Sequence, residues 1–525
     1  MLDLGKNGYR GITKVTLLSE DFYFLLSPES VREVVVEQAE DSFPDRFSLP
    51  LFTQLGLDRG IVYEQGERHR RQKRVCLPSF EQARSMDFFI AAIHSETAIL
   101  AASWSNRLRT AQTKSILDVY QEARKLTLEV VLRVSFGLSE DFDKSNELSR
   151  VIGDYLQRIV ATANEIPPLW QISPILSANY QSVTEDLLPS LRNLVTEVIA
   201  QRRKMEMNNE RASKTKAADL LGVLLQAEGV DDDDILAILF DLVIAGSDTA
   251  ASTITATLWL IHSPLTPHTK WSRGDSDEGI DASVLDSAQS EIAAAVNYFT
   301  ANSSSTLSKT DVLEALAKGL RSVDDIQRHL PFMTACVRET LRLYPPVPFI
   351  GRRSIRESSV TGDVLDSDSV YSIPNCSVMC WSPYFLGRDP RHWQVPVDSF
   401  RPTRWLSRHE DFYSPSTGLP RSPYCWLPFG AGPRGCLGTR LGMNEAILAS
   451  TLLLFAFDFD FGFEAPIVKS PGAQSNAPGI AEARKIADVL GFGPRPNDGK
   501  LRYTYDLTLN LEGSCLAAVS ERHSC

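Results

Sequence analysis

Residues Asp231 to Ile261, DDDDILAILFDLVIAGSDTAASTITATLWLI, limit the fold more than any other part of this 525-residue chain. Four aspartates open the segment, which suits the positive end of a helix dipole. The rest is apolar on nearly every face, and at about 1.5 Å per residue it reaches roughly 40 Å, the width of a whole domain. A helix that is hydrophobic all round is buried. Asp241, Ser247, Asp248 and several threonines interrupt the run, which argues against a membrane span.

Helical patterns surround this segment. Val31 to Gln38, Met86 to Arg107, Ser115 to Phe136, Ser145 to Ala163, Ser182 to Lys204, Val284 to Phe299 and Val323 to Leu343 carry apolar residues at helical spacing. The last stops at YPPVP, where proline ends a helix. Another helix is expected after Cys436. Strand patterns are confined to VTLLSEDFYFLLS near the start, read as two strands about a turn at Ser19-Glu20-Asp21, to Ser354–Met379, and to LRYTYDLTLNLEG near the end. With no repeats and no clear linker, one mainly α domain with a small β part is expected. It divides into a β-rich start (about 1–65), a helical core (66–345), a β segment with a cysteine loop (346–440), and a helix and hairpin (441–525). Surface insertions are expected at 263–283 and 464–496.

A hydrophobic share of 43% allows a large core, and a net charge of −12 argues against nucleic acid as the main partner. The basic run Glu67 to Arg74, ERHRRQKR, is a local exception. Eight scattered cysteines form neither a disulfide framework nor a zinc spacing. The start of the sequence contains no apolar run near 20 residues.

One cysteine stands apart. LPFGAGPRGCLG, Leu427 to Gly438, places four glycines and two prolines around Cys436, just before a helix start. A thiolate there is favoured by the helix dipole and by free backbone N–H groups. Glycines let a large flat ligand approach the backbone, Phe429 can pack against the loop, and Arg434 can pair with a ligand carboxylate. These are the needs of an iron-bound thiolate.

Phe429, Gly432, Arg434, Cys436 and Gly438, in the pattern F-x-x-G-x-R-x-C-x-G, resemble the haem-thiolate signature of the cytochrome P-450 family. Three further stretches follow that family in order. AGSDT, Ala245 to Thr249, resembles its distal-helix pattern. ETLR gives Glu339 and Arg342, and FRPTRW gives Arg404. The resemblance makes these three a structural ion cluster. It implies an iron ligand in Cys436 and proton relay by Thr249 and Asp248. It places Arg352 on a haem propionate, with Arg353 as the competing candidate. Near the start, Gly66, His69 and Lys73 stand where the family has Gly, Trp and Arg. Histidine still donates a hydrogen bond, but lysine lacks the planar fork of arginine.

The resemblance implies the cytochrome P-450 fold, with haem b between the long distal helix and the cysteine helix. It further implies a monooxygenase that inserts one atom of dioxygen into a lipophilic substrate. No flavin or dinucleotide motif is visible, so NADPH would act indirectly, through a separate reductase or ferredoxin. Two other classes remain: a hydroperoxide-rearranging haem-thiolate enzyme, against which Thr249 speaks, and a non-enzymatic haem sensor. For substrate, RLYPPVPFIGRRS and GIVYEQGE are loosely similar to the carotenoid-ring hydroxylases, with fatty acids or sterols as alternatives. An intracellular monomer is expected, soluble or peripheral on an endoplasmic reticulum or plastid membrane, without a transmembrane anchor in this chain.

Overall fold

We analysed a computed structural model, which describes residues 11–17, 20–47, 50–55, 59–111, 115–137, 145–163, 165, 169–207, 219–263, 269–271, 280–301, 307–362, 370–461, 503–505, 509–511 and 515–522. The long helix runs Asp232–His262, and the Asp231 side chain caps it by accepting the Asp234 N–H at 2.7 Å. Two thirds of its most apolar window is buried inside the protein, as a core helix requires. Its threonine hydroxyls are satisfied within the helix. The hydroxyls of Thr249, Thr253, Thr255 and Thr257 each donate to the carbonyl four residues earlier, at 2.7–2.8 Å.

The helices Val119–Phe136, Pro331–Leu343 and Thr439–Ala456 pack most extensively against this axis. Gly246 allows the first to come close, because a Cβ there would lie 2.8 Å from Val131. The helix Gly66–Glu81 is fastened to the start of the long helix by Arg68 and Arg71, which hold the buried Asp234 at 2.5 and 2.8 Å. Residues three apart share a helix face, so Arg68 and Arg71 turn one way while His69 and Lys73 turn another.

A five-stranded sheet lies to one side. Its order is Ile12–Leu17, Glu20–Leu25, Val378–Trp381, Ile350–Arg353, Asp45–Arg46, with one parallel pairing, Glu20–Leu25 on Val378–Trp381. Register places Arg46 directly opposite Arg352. A second sheet joins Phe457–Asp460, Leu516–Glu521 and Ser115–Asp118.

Several expectations shift. Glu20 and Asp21 belong to the second strand rather than the turn, because Asp21 pairs across the hairpin with Lys14 (2.8 Å) and Thr16 (2.7 Å). The stretch from Val323 to Leu343 is two helices, Val323–His329 and Pro331–Leu343, since Pro331 starts a new helix rather than continuing the old one. Ser115–Asp118 is a strand, and Asp118 then caps the helix that follows. Elements that carried no expectation include the helix over the basic run, the helix Lys309–Gly319 with its Ser308–Asp311 capping box, and the strand Leu516–Glu521. The proposed insertion 263–283 contains the strand pair Thr269–Trp271 and Ile280–Ala282. The other, 464–496, lies outside the described residues.

Candidate active site

A cavity of about 390 Å³ lies between the long helix and the cysteine loop. From the helix it receives Leu242, Ala245, Gly246, Thr249 and Thr253, which share one face at helical spacing. From the loop it receives Phe429, Gly430, Arg434, Cys436 and Gly438. The loop is built by local hydrogen bonds: Cys436 N–H to the Phe429 carbonyl (2.9 Å), Gly430 N–H to Leu427 (3.1 Å) and Gly435 N–H to Gly432 (3.0 Å). The Phe429 ring meets Trp426 edge-on, with centroids 6.2 Å apart.

The thiol of Cys436 shows its surface to this cavity. Burial from bulk water raises its pKa. The Gly438 N–H, Arg46, the Thr439 hydroxyl and Lys73 all act in the opposite direction, towards the thiolate. The two loop glycines at positive φ serve different ends. Gly430 (φ 64°) lines the cavity. Gly432 (φ 69°) lies outside the cavity lining and packs on the protein itself, since a Cβ there would fall 1.8 Å from the Val35 carbonyl oxygen.

On the sheet side, five basic groups meet the same cavity: Arg46, His69, Lys73, Arg352 and Arg434. Arg46 and Arg352 are cross-strand neighbours of like charge, an arrangement that destabilises unless an anion joins it. Arg434 spends one nitrogen on the Glu64 carbonyl (2.8 Å) and the Gln65 side chain (2.7 Å). Its Nε and Nη1, the Arg46 Nε and the Arg352 Nη1 are buried with no partner among the described residues. Burial, and then the neighbouring guanidiniums, push Arg352 well below its ordinary range and Arg434 down to about 9. His69 is pushed down to about 3 by burial and by Arg434, so it stays neutral and can still donate. Lys73 donates to the Pro433 carbonyl. Buried cations with unpaired N–H groups are costly, and a group carrying two carboxylates would satisfy them. Arg353 turns away: it binds Glu20 (3.1 Å) and the Cys376 carbonyl (3.1 Å).

Across the cavity, the Thr249 hydroxyl bonds the Ala245 carbonyl at 2.8 Å. Asp248 is buried and held by Arg124 Nε at 2.7 Å. Glu339, Arg342 and Arg404 form one fully buried cluster. Arg342 binds Glu339 at 2.7 and 2.8 Å, Arg404 binds the same carboxylate at 2.5 Å, and Trp405 Nε1 adds a third donor at 3.0 Å. Trp405 packs on Trp426 (5.2 Å), and so the cluster reaches Phe429 and the cysteine loop.

The family model described as Cytochrome P450 matches residues 5–266 and 310–475. The chain belongs to the cytochrome P450 family. Among relatives of this P450, 6,7,8-trihydroxycoumarin synthase of Pastinaca sativa is 27% identical over 469 residues, covering 86% of this chain and 80% of that protein. The 3,9-dihydroxypterocarpan 6A-monooxygenase of Glycine max is 24% identical over 397 residues, covering 74% and 67%. Among solved structures, the cytochrome P450DA heme domain superposes with a TM-score of 0.67 at 18% identity, over 99% of this chain and 92% of that one. As a cytochrome P450, the protein is an oxidoreductase that uses haem and dioxygen and incorporates oxygen into its substrate.

Three groups in this site carried no expectation from the sequence: Arg46, Arg124 and Glu445. Arg46 follows a short FPD stretch with no motif, and Arg124 looks like any solvated helix charge. Asp241 was visible only as an interruption of an apolar run. Glu445 lies nine residues beyond Cys436 on a buried helix, and burial pushes its carboxyl well up.

Proposed function

We propose that this P450 hydroxylates a lipophilic, ring-bearing substrate, with electrons delivered from NADPH by a separate reductase or ferredoxin. The observation that carries the reading is the pairing, on one cavity, of Cys436 in its donor-lined loop with a set of buried arginines whose N–H groups lack partners. In this proposal the Cys436 thiolate would hold the haem iron. Arg434, Arg352, Arg46, His69 and Lys73 would hold the two propionates. Phe429, Gly430 and Gly438 would line the cysteine-loop side of the haem, while Gly432 acts one step back by seating the loop on Val35. Haem bound there would supply the reductive activation of dioxygen.

The protein's own contribution lies on the opposite wall. The Thr249 hydroxyl can turn from the Ala245 carbonyl to donate into the cavity. Asp248, joined to the partly exposed Arg124, links that position to the outside and can pass a proton towards Thr249. Glu339, Arg342 and Arg404 take no part in chemistry; they hold the cysteine loop in place through Trp405 and Trp426.

The cavity wall is mostly apolar, which supports a lipophilic substrate. The coumarin and pterocarpan named for the relatives favour a fused aromatic ring over a carotenoid, fatty acid or sterol. Peripheral membrane contact is supported by the turn Pro174–Leu176, where Ile175 is 78% exposed and Leu176 57%.

The test is spectroscopic. The reduced holoprotein with carbon monoxide is expected to give the red-shifted Soret band of a thiolate ligand. That band should be absent from Cys436→Ser. A histidine-type band in intact wild-type protein refutes the reading.

A further inference from the structure

Gln65 lies outside the cavity lining, yet its side chain joins two of the arginines that meet there. Its amide oxygen accepts the Arg46 N–H at 3.2 Å and Arg434 Nη2 at 2.7 Å. Its amide nitrogen donates to the Arg46 carbonyl at 3.1 Å. Both partners of the oxygen can only donate, so the orientation of the amide is fixed. Arg46 closes a ring by donating from its own Nη2 to the Arg434 carbonyl at 2.7 Å.

The ring ties the start of the helix Gly66–Glu81 to the strand Asp45–Arg46 and to the cysteine loop. Gln65 occupies the position that caps this helix, but its side chain makes no capping bond. That side chain is spent on the arginines instead. Asp45–Arg46 is only a two-residue strand at the edge of the five-stranded sheet. The Gln65 amide offers Arg46 one acceptor and one donor, as the peptide of a further strand would.

Charge explains why an amide suits this place. Arg434 already meets the repulsion of Arg46. A glutamate at 65 would relieve it by ion pairing, and would spend the positive charge that an anionic ligand needs. A neutral oxygen fixes the Arg434 fork and leaves that charge in place. It also leaves Arg434 Nε and Nη1 and the Arg46 Nε without partners among the described residues.

We propose that Gln65 is the positioning residue of the basic wall: its neutral amide holds Arg46 and Arg434 so that their unpaired N–H groups stay available to the haem carboxylates. This inference rests on the haem reading, in which those arginines hold the propionates. Arg434 carries most of the effect, because its bond to the amide is charge-assisted whereas the two bonds to Arg46 involve neutral backbone groups.

Haem transfer from the ferric holoprotein to excess apomyoglobin, followed by the Soret change, tests the proposal. Gln65→Met removes the amide and should speed transfer about tenfold, the scale of one hydrogen bond to a charged group. Adding Gln65→Met to Arg434→Met should speed transfer by less than about threefold more, because the amide acts chiefly through that arginine. A purely structural role would give the full factor again. Gln65→Glu decides the matter where Gln65→Met takes up no haem. Its carboxylate competes with the haem carboxylates for both arginines, so transfer should again speed about tenfold. A residue that served only as glue would be rescued by the new ion pairs. An unchanged rate in Gln65→Met, a further factor above about threefold in the double variant, or a wild-type rate in Gln65→Glu overturns the role of Gln65. The Arg434→Met variant separates the two readings. An unchanged rate there refutes the propionate reading itself. A faster rate there with an unchanged Gln65→Met refutes only the positioning role.

Discussion

Replacing Glu339 with Gln should destabilise the holoprotein by about 3–5 kcal/mol, the cost of breaking a buried ion pair from one side. The magnitude can be worked from the site. Glu339 is fully buried, yet Arg342 and Arg404 outweigh desolvation and pull its pKa from 4.5 down to about 2. That shift corresponds to about 3 kcal/mol of stability at neutral pH. Arg342 is itself pushed down to about 10, because burial costs it more than a carboxylate shared with Arg404 returns. The net gain therefore resides on Glu339, which lies between the two guanidiniums. The sign follows from the depressed carboxyl: the stabilisation is complete above pH 4.5 and is lost as pH falls towards 2. The assay is equilibrium urea unfolding of the ferric holoprotein, followed by tryptophan fluorescence and haem absorbance together. Trp405 donates to Glu339, so the fluorescence reports on the site directly. The deficit of Glu339→Gln should hold constant from about pH 8 to about pH 5 and narrow below that. Converting all three groups together, Glu339→Gln with Arg342→Met and Arg404→Met, should cost less than the sum of the single changes, because no charge is left stranded. A loss below about 1 kcal/mol for Glu339→Gln, within the range of an exposed pair, would refute the reasoning.

Thr249→Ala should lower product formed per NADPH and raise peroxide release while keeping the carbon monoxide band; unchanged coupling would count against the proton role of Thr249. Arg434→Met and Arg352→Met should each speed haem transfer to apomyoglobin by about tenfold, the loss of one charged hydrogen bond, and an unchanged rate would remove them from the propionate site. Gly432→Ala should prevent stable folding, because its Cβ would lie 1.8 Å from the Val35 carbonyl oxygen. Gly418→Ala, at a similar φ of 66° but with nothing within 4 Å, should cost only about 1 kcal/mol. Equal thermal shifts in the two alanine variants would show that φ alone, and not the contact with Val35, decides.

Much of the site was legible because its chemistry depends on local spacing. Cys436 and its loop, the threonine–aspartate pair and the Glu339–Arg342 pair are each set by residues within one turn or loop. A helix hydrophobic on all sides could only be a core helix or a membrane span, and its threonines favoured the core. The helix break at Leu330 was missed because a helical period continues through Pro331, which is tolerated at a first helical position. The basic run was read as charge rather than as a helix, because its apolar face is small: Cys76 and Phe80 share the buried side with His69, Gln72 and Ser79.

By itself the sequence determined which residues could carry haem-thiolate chemistry and the order in which they occur, because those motifs are short-range. Only the tertiary structure decided their partners. Arg46 reaches the Arg434 carbonyl across 388 residues, and Arg124 reaches Asp248 across 124. The choice between Arg352 and Arg353 followed from strand alternation together with sheet pairing, which turned one arginine into the cavity and left the other on Glu20. Asp241 shows the division most clearly. In the chain it is one acid in an apolar run, and only the fold lays Gly60 and Val62 over it, where burial raises its pKa, since the cost of a buried carboxyl is set by what surrounds it in space.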